Sequence, residues 1–440
     1  MSGSGVRWPG ALRYRGFRRL YLALALSSFG DWLGFLATTA LAVQLAADRG
    51  FAAQAYATGG VLAFRLLPAI VLGPLGGALA DRFDRRRLMV VTDLLRFALF
   101  LSIPLVGSLT WLLVATLLVE TLSLFWIPAK EASVPNLVPR EHLEQANSLS
   151  LVATYGTAPL AAVVFGVLGL LQPATGQPAA YLALYVDAGT FLFAAVQVAR
   201  ITEVSGRGRA EPGAAVPGLV ASVREGVAFA RSSPVVRGVL VAMLGALAAA
   251  GVVVANGKLF ATSVLGGGDG AYGLLFGSVF VGIALGVALG PRALGDLSRR
   301  RALGPTIAAA GACLIFTALV PALALVALST LALGAFAGLA YVLGLTLLGG
   351  EVEDDVRGRT FGLVNALMRI DLLAVLAIAP ALAGAVGQRS VGPFDVNGIS
   401  VTMVVGGVLA LVVGVLSFRT MDDRPGVPLR RDLWALLHRR

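Results

Sequence analysis

Long apolar segments alternate with short polar ones along nearly the whole chain. A membrane-spanning helix needs about 20 mostly apolar residues, and twelve segments reach that length. They are about 17–46, 52–80, 88–107, 109–128, 148–171, 178–199, 234–264, 271–294, 302–321, 323–348, 360–386 and 399–418. The pattern predicts an all-α membrane protein with twelve transmembrane helices.

The longest polar segment, 200–233, divides these spans six and six. Arg85-Arg86-Arg87 follows the second span, and Arg299-Arg300-Arg301 follows the eighth. A two-fold repeat of six spans is typical of transporters with a site between their halves, which predicts two pseudo-symmetric six-helix bundles. The predicted domains are an N-terminal bundle at 1–199, a cytoplasmic linker at 200–233 with an amphipathic helix over 219–230, a C-terminal bundle at 234–418 and a basic cytoplasmic tail at 419–440.

Composition supports the membrane class. Of the 440 residues, 57% are hydrophobic and only 13% are charged, whereas soluble domains are about 25% charged. The net charge of +11 would suggest nucleic acid in a soluble protein, but the arginines occupy short gaps between apolar runs, so we expect no nucleic-acid partner. With one cysteine and two histidines, the chain offers no disulfide and no cysteine-based metal site, and we expect no metal and no cofactor.

The basic residues also predict the orientation. With the N-terminus inside, the cytoplasmic segments hold 27 Lys and Arg residues, and the outer loops hold only Arg49 and Arg389. Cytoplasmic loops carry the excess of Lys and Arg, so both termini are predicted to be cytoplasmic. Residues 1–19 are polar and basic without a cleavage site, which indicates a retained N-terminus. We expect a multi-pass protein of the inner (plasma) membrane, surrounded by lipid and monomeric.

The loop after the second span resembles the loop signature of the major facilitator superfamily. Gly77, Asp81, Arg82, Arg85 and Arg86 match it, and Asp84 replaces its second glycine. The resemblance implies the major facilitator fold and transport by alternating access rather than catalysis.

Three further pieces resemble the macrolide-efflux and enterobactin-exporter-like drug:proton antiporters of that superfamily. They are Phe17–Ala23 with Phe29–Trp32, Pro128–Pro135 with Ala146–Ser148, and Arg357–Gly362. The antiporter pattern of helix 5 survives only as Gly156-Thr-Ala-Pro159. The N-terminal third is also similar to the transporter portion of actinobacterial transporter–thymidylate kinase fusions, although the chain has no Gly-x-x-x-x-Gly-Lys-Ser/Thr loop and we expect no kinase in it.

The family resemblance implies that the loop residues close the inner gate. Asp81 would accept hydrogen bonds from the start of helix 11 around Thr360, where the helix dipole is positive. Arg357 and Arg359 lie near that point in the sequence. Arg82 and Arg85 could reach Glu131 or the acidic residues of 351–355. The predicted gating residues are Gly77, Asp81, Arg82, Arg85, Glu131, Arg357 and Arg359.

Ionisable groups inside spans are costly and mark functional sites by default. Asp31, Arg65 and Glu120 lie deep in helices 1, 2 and 4. Because burial opposes ionisation of a carboxylate and a nearby arginine favours it, Asp31 or Glu120 with Arg65 could exchange a proton as the cavity opens. A purely structural ion pair between Asp31 and Arg65 is the alternative.

The spans contain other polar residues besides these three. Asp93 and Arg96 lie one turn apart in helix 3. For Asp187, Asn256 and Lys258 we expect a role at the outer rim or in loop capping rather than in binding.

The predicted cavity is mainly apolar, which suits an amphiphilic or lipophilic substrate better than a sugar. Ordinary helix packing is the alternative role of its aromatic residues. The candidate lining residues are Phe29, Trp32, Phe35, Trp126, Tyr155 and Phe361, with Arg369 and Asp371 in helix 11.

The sequence therefore predicts a secondary active transporter, not an enzyme. It would export a hydrophobic or amphiphilic small molecule, such as a drug or siderophore-like compound, by alternating access with protons as the coupling ion. Two alternatives stay open: a passive lipid or lysophospholipid flippase of the same fold, and a non-transporting membrane anchor for a kinase partner.

Overall fold

The computed structural model describes residues 10–80, 83–204, 234–295, 297–351, 354–391 and 394–424. Nearly all of them are helical. The N-terminal helices are α1 (Arg15–Leu45), α2 (Gly50–Ala80), α3 (Arg85–Val106), α4 (Leu109–Leu137), α5 (Leu143–Gly156), α6 (Ala158–Thr175) and α7 (Ala179–Ala199). They are followed by α8 (Pro234–Leu259), α9 (Gly268–Leu294), α10 (Arg299–Leu319), α11 (Leu323–Glu351), α12 (Asp354–Val386) and α13 (Gly398–Met421).

A short antiparallel hairpin is the exception to the helical fold in this part of the chain. Its strands, β1 (Gln388–Val391) and β2 (Phe394–Asn397), lie between α12 and α13. The Asn397 side chain then caps α13 by accepting from the backbone N–H of Ile399 at 2.9 Å. The hairpin thus connects two spans and ends in a helix cap.

Twelve helical stretches of the described chain are long and apolar enough to cross a membrane. They confirm the predicted twelve spans, with α5 and α6 together forming the fifth, Arg140–Gln172. Several helix ends differ from the predicted spans, since α4 continues to Leu137, α5 already begins at Leu143 and α12 already begins at Asp354. The end of α4 has a clear cause. The helix stops where Val138 precedes Pro139 in an extended conformation, as residues before proline prefer. Polarity marked the end of the apolar segment but not the end of the helix.

The fifth span is broken between α5 and α6. Pro159 in the first turn of α6 has no N–H to continue the helical hydrogen bonds. The indole Nε1 of Trp32 in α1 donates to the carbonyl oxygen of Thr154 at 2.7 Å, just before the break. The Thr157 hydroxyl donates to the Ala153 carbonyl at 3.0 Å. Side chains thus satisfy carbonyl groups around the break.

The described residues fall into two compact units. The first lies within Met1–Ala46 and Phe64–Val216, and the second within Ala47–Ala63 and Pro217–Arg440. In the first unit α7 packs against α1 and α3, and α4 packs against α3. Its core cluster includes Phe17, Leu20 and Trp126.

Glycines bring helix backbones close together in the second unit. A Cβ on Gly286 of α9 would overlap the backbone of Ala335 in α11. A Cβ on Gly311 of α10 would likewise overlap the backbone of Gly407 in α13. Small residues allow this approach where lipid supplies no hydrophobic driving force between helices.

Candidate functional site

An ion pair joins α2 and α4 within the first unit. Arg65 Nε lies 2.9 Å from Glu120 Oε1, and both side chains are largely buried, at 13% and 22% exposed. Both residues lie inside spans, where charged groups must be paired or reach water. Burial and the short distance make this the best-formed contact among the three predicted coupling residues.

Arg65 also holds α1. Its Nη2 donates to the backbone carbonyl of Asp31 at 3.2 Å, and its Nη1 donates to the Thr38 hydroxyl at 3.4 Å. The guanidinium lies over the Phe35 ring, 5.1 Å from its centroid. The side-chain ion pair between Asp31 and Arg65, which was the structural alternative, is not formed, because Arg65 donates to the Asp31 main chain and pairs with Glu120.

Asp31 is a half-buried residue. Within the described part of the chain it forms no ion pair, although the charges of Arg65 and Arg96 act on it from a longer distance. The structure therefore brings Asp31, Arg65 and Glu120 together while leaving one carboxylate without a direct basic partner.

A second polar group links α3 and α4. Arg96 Nη1 lies 3.6 Å from Asp93 Oδ1, and Trp126 Nε1 donates to Asp93 Oδ2 at 3.1 Å. The Arg96 guanidinium lies over the rings of Trp126 and Phe191, at 5.8 and 5.2 Å from their centroids. The prediction that Trp126 lines a cavity is not supported by this position, because the ring is 4% exposed and both its face and its N–H are engaged.

The position of Asp187 differs from the position that the sequence predicted. Its side chain is fully buried between α7 and α1, so the expected role at the outer rim is wrong. Each carboxylate oxygen lies against one glycine of α1, Oδ1 against Gly30 and Oδ2 against Gly34, and a Cβ at either glycine would overlap it. The four-residue spacing of these glycines was the sequence signal for a close helix approach.

The other predicted lining residues differ in exposure. Phe29 and Trp32 are half-buried on α1, and Phe35 is buried beneath Arg65. Tyr155 is 60% exposed at the end of α5. On α12, Arg369 is exposed and Asp371 is half-buried. The side chain of Phe361 lies outside the described residues. Asp371 Oδ2 finds no hydrogen-bond donor among the described residues.

Most of the predicted gate also lies outside the described residues. This holds for Asp81 and Arg82, for the surroundings of Gly77 and for the side chains of Arg357 and Arg359. The gating roles of these residues stay predictions. Arg85 and Glu131 are described. Arg85 Nη1 donates to the Ala132 carbonyl at 3.0 Å, while Glu131 is exposed. Arg85 therefore binds the main chain next to Glu131 rather than its carboxylate.

The second unit has polar contacts at the outer ends of its predicted spans. Lys258 of α8 pairs with Asp269 at the start of α9, and its ammonium lies 6.0 Å from the Tyr272 ring centroid. Asn256 donates to the Thr402 hydroxyl of α13 at 3.1 Å. These contacts join helices, and the expected role of the two residues at the outer rim or in loop capping stays a prediction. No cluster of His, Cys, Asp and Glu in the described ranges could hold a metal ion.

The sequence matches the family described as transmembrane secretion effector over residues 9–437. The chain belongs to this family of major facilitator superfamily (MFS) transporters. It is accordingly a transporter rather than an enzyme.

Relatives and solved structures agree with this assignment. The transporter is 28% identical to an uncharacterized MFS-type transporter of Mycobacterium tuberculosis over 392 residues, covering 85% of this chain and 86% of that one. It is 29% identical to the uncharacterized MFS-type transporter YfiS of Bacillus subtilis, a match that spans about half of each chain, at 50% of both.

Two solved structures show the same fold. The nucleoside transporter NupG has a TM-score of 0.68 at 13% identity, covering 92% of this chain and 100% of that one. A bacterial homologue of the human lysosomal transporter Spinster has a TM-score of 0.65 at 16% identity, covering 92% and 97%. The predicted all-α transporter fold is confirmed.

Proposed function

We propose that this MFS transporter exports a hydrophobic or amphiphilic small molecule by proton-coupled antiport, with Glu120, Arg65 and Asp31 as the coupling site. One observation carries the proposal. Arg65 forms an ion pair with Glu120, while Asp31 on the neighbouring helix forms no direct ion pair among the described residues. Two carboxylates thus compete for one guanidinium inside the membrane, which allows a proton to decide which of them is paired.

The proposed cycle exchanges this pairing. A proton on Glu120 removes the charge that holds Arg65, whose guanidinium already touches the Asp31 main chain and the Thr38 hydroxyl. Arg65 then turns to the Asp31 carboxylate. Loss of the proton from Glu120 reverses the exchange, so proton binding is linked to the contacts between α1, α2 and α4. Such a link is what alternating access requires from a coupling ion.

The substrate class rests on the half-buried aromatic residues of α1. Phe29 and Trp32 offer apolar faces next to Asp31, which favours compounds of the drug or siderophore-like type over sugars. The imbalance of 27 cytoplasmic to two external basic residues supports an inner-membrane orientation with both termini cytoplasmic. The resemblance to drug:proton antiporters supports export.

The test needs a ligand and a gradient. A thermal-shift panel of macrolides, siderophores and lysophospholipids identifies a compound that stabilises the purified transporter, and that compound is then followed in proteoliposomes with an imposed pH gradient. We expect Asp31→Asn and Glu120→Gln each to lose gradient-driven transport. Glu144→Gln is the matched control, because Glu144 is exposed in the first turn of α5.

The outcomes separate the alternatives. Gradient-driven transport that persists in both variants contradicts the coupling site. Transport by the wild type without a gradient indicates a passive flippase, for which a lysophospholipid is the informative ligand. Purified protein that moves none of these compounds but binds a kinase indicates the membrane anchor.

The inner gate is tested separately. We propose that Asp81 receives hydrogen bonds from the start of α12 when the cytoplasmic side is closed, and that Arg82, Arg357 and Arg359 add to this contact. Asp81→Asn should then abolish transport in the same assay while the amount of protein in the membrane is maintained. Wild-type transport by Asp81→Asn would contradict the gate.

A further inference from the structure

Asp187 is a buried carboxylate that the proposed coupling site does not use. Its side chain is 0% exposed at the contact between α7 and α1. Oδ1 has a 3.5 Å contact with the Thr190 hydroxyl, but that hydroxyl donates to the Asp187 carbonyl at the shorter distance of 2.7 Å. Oδ2 has no hydrogen-bond donor among the described residues.

Asp187 forms no ion pair with a basic side chain among the described residues. The charges that act on Asp187 are those of Asp31, Arg65 and Arg96. Arg65 is paired with Glu120 and Arg96 with Asp93, and Asp31 is an acid.

The helices around Asp187 supply no further cation. Of the helices packed against α7, α1 contributes Asp31 to this region, α3 contributes Asp93 and Arg96, and α6 has no ionisable residue. The four carboxylates therefore outnumber the two guanidiniums by two.

The surroundings of Oδ2 are apolar. It lies against the backbone of Gly34, and the Phe100 ring lies against the same glycine. Phe100 in turn stacks on Phe191 of α7, with ring centroids 5.5 Å apart. An ionised carboxylate without a partner is strongly unfavourable in such a place, whereas the neutral acid is tolerated.

We propose that Asp187 is a second proton-binding site of the transporter, and that its proton holds α1 and α7 together. The neutral acid fits between Gly30 and Gly34. Loss of the proton places an uncompensated charge in this contact and next to Asp31, so the contact opens until water reaches the carboxylate. The N-terminal unit then binds one proton at the Arg65 site and one between α1 and α7.

Infrared spectroscopy tests the proton directly, with protons as the only ligand. Because the Arg65 site also holds a proton, the informative quantity is the difference between two spectra. At neutral pH, the spectrum of the wild type minus that of Asp187→Asn should show the carbonyl-stretching band of one protonated carboxylic acid, the Asp187 band. The same difference should appear when both proteins carry Asp31→Asn. Asp48→Asn is the matched control, since Asp48 is exposed in the turn Ala47–Arg49, and it should leave the band unchanged.

Hydrogen exchange tests the link to helix packing. When the pH is raised, amide exchange in α1 and α7 should increase in the wild type, after correction for the intrinsic rate, and should stay constant in Asp187→Asn. An equal increase in both proteins would overturn the proposed coupling to helix packing. Identical carbonyl-stretching spectra of the wild type and Asp187→Asn would overturn the proton site.

The inference extends the proposed antiport but can be judged apart from it. The infrared and exchange measurements need neither a substrate nor a gradient. If Asp31→Asn and Glu120→Gln transport normally while Asp187→Asn loses the band, the proposed coupling site fails and the proton at Asp187 stands. If Asp187→Asn folds poorly, Asp187→Glu keeps an acid at this position and should shift the frequency of the Asp187 band, and an unshifted spectrum would overturn the proton site.

Discussion

At the scale of single residues, the structure pairs charges that the sequence could only place at similar depths. Position along a helix follows from counting residues, so Asp31, Arg65 and Glu120 could be assigned to the interior. Rotation about each helix axis decides which side chains meet, and it depends on the neighbouring helices. That is why the Arg65–Glu120 pair formed and the Asp31–Arg65 side-chain pair did not.

Asp187 shows the same limit more sharply. A carboxylate in the outer half of a span suggested a rim position, yet its contacts with Gly30 and Gly34 place it in the protein interior. Gly30 and Gly34, spaced four apart in helix 1, are typical of a close helix contact, but the sequence analysis did not use them. Which helix would form that contact could not be known without the three-dimensional packing.

Trp126 should stabilise the structure more than an ordinary hydrogen-bonding tryptophan. Its N–H donates to the buried carboxylate of Asp93 at 3.1 Å. Trp126→Phe removes this donor and leaves a buried charged acceptor less satisfied, which costs about 1–3 kcal/mol. We expect a clearly lower melting temperature in detergent.

Trp111→Phe on the same helix is the matched control for Trp126→Phe. Trp111 Nε1 donates to the neutral Ser102 hydroxyl at 2.9 Å in a half-buried position, and such a bond contributes about 0.5–1.5 kcal/mol. The melting temperature should fall less than with Trp126→Phe. Equal decreases in melting temperature in the two variants would show that the hydrogen bond to Asp93 stabilises the protein no more than the hydrogen bond to Ser102 does.

At the scale of helices, hydropathy predicted the number and the order of the spans better than the residues at which the helices begin and end. All twelve spans occur, because length and apolar content are local properties of the sequence. The extension of α4 to Leu137 and the break before Pro159 depend on backbone chemistry that hydropathy does not record. The hairpin of β1 and β2 likewise lay in a stretch assigned only as a loop.

Close packing of α9 on α11 should depend on Gly286. A Cβ at this position would overlap the backbone carbonyl of Ala335, and backbone cannot move aside as a flexible side chain can. Gly286→Ala should therefore destabilise the second unit by about 1–3 kcal/mol, as overpacking does. The melting temperature in detergent measures this loss.

Gly189→Ala is the control for this packing effect. Gly189 lies within α7, and a Cβ there would meet nothing within 4 Å. Alanine favours helix over glycine by up to about 1 kcal/mol, so this variant should melt at the same or a slightly higher temperature. A loss equal to that of Gly286→Ala would point to a general effect of removing glycine from a helix.

At the scale of the whole molecule, the distribution of charge should set the orientation in the membrane. The 27 basic residues on the predicted cytoplasmic side are spread over seven segments, so no single substitution should invert the protein. The lone cysteine makes this testable. Replacing Cys313 by alanine gives a chain without thiols, into which single cysteines can be introduced at exposed positions on either side.

Asp48→Cys and Arg87→Cys are the informative pair in that cysteine-free chain. Both positions are exposed, Asp48 in the turn between α1 and α2 and Arg87 in the first turn of α3. A membrane-impermeant maleimide added to intact cells should label Asp48→Cys only, and permeabilised cells should label both. Labelling of Arg87→Cys in intact cells would contradict the orientation, and with it the placing of the Asp81 gate on the cytoplasmic side. Because Arg87→Cys removes one of 27 charges, an inverted result could not be blamed on the substitution itself.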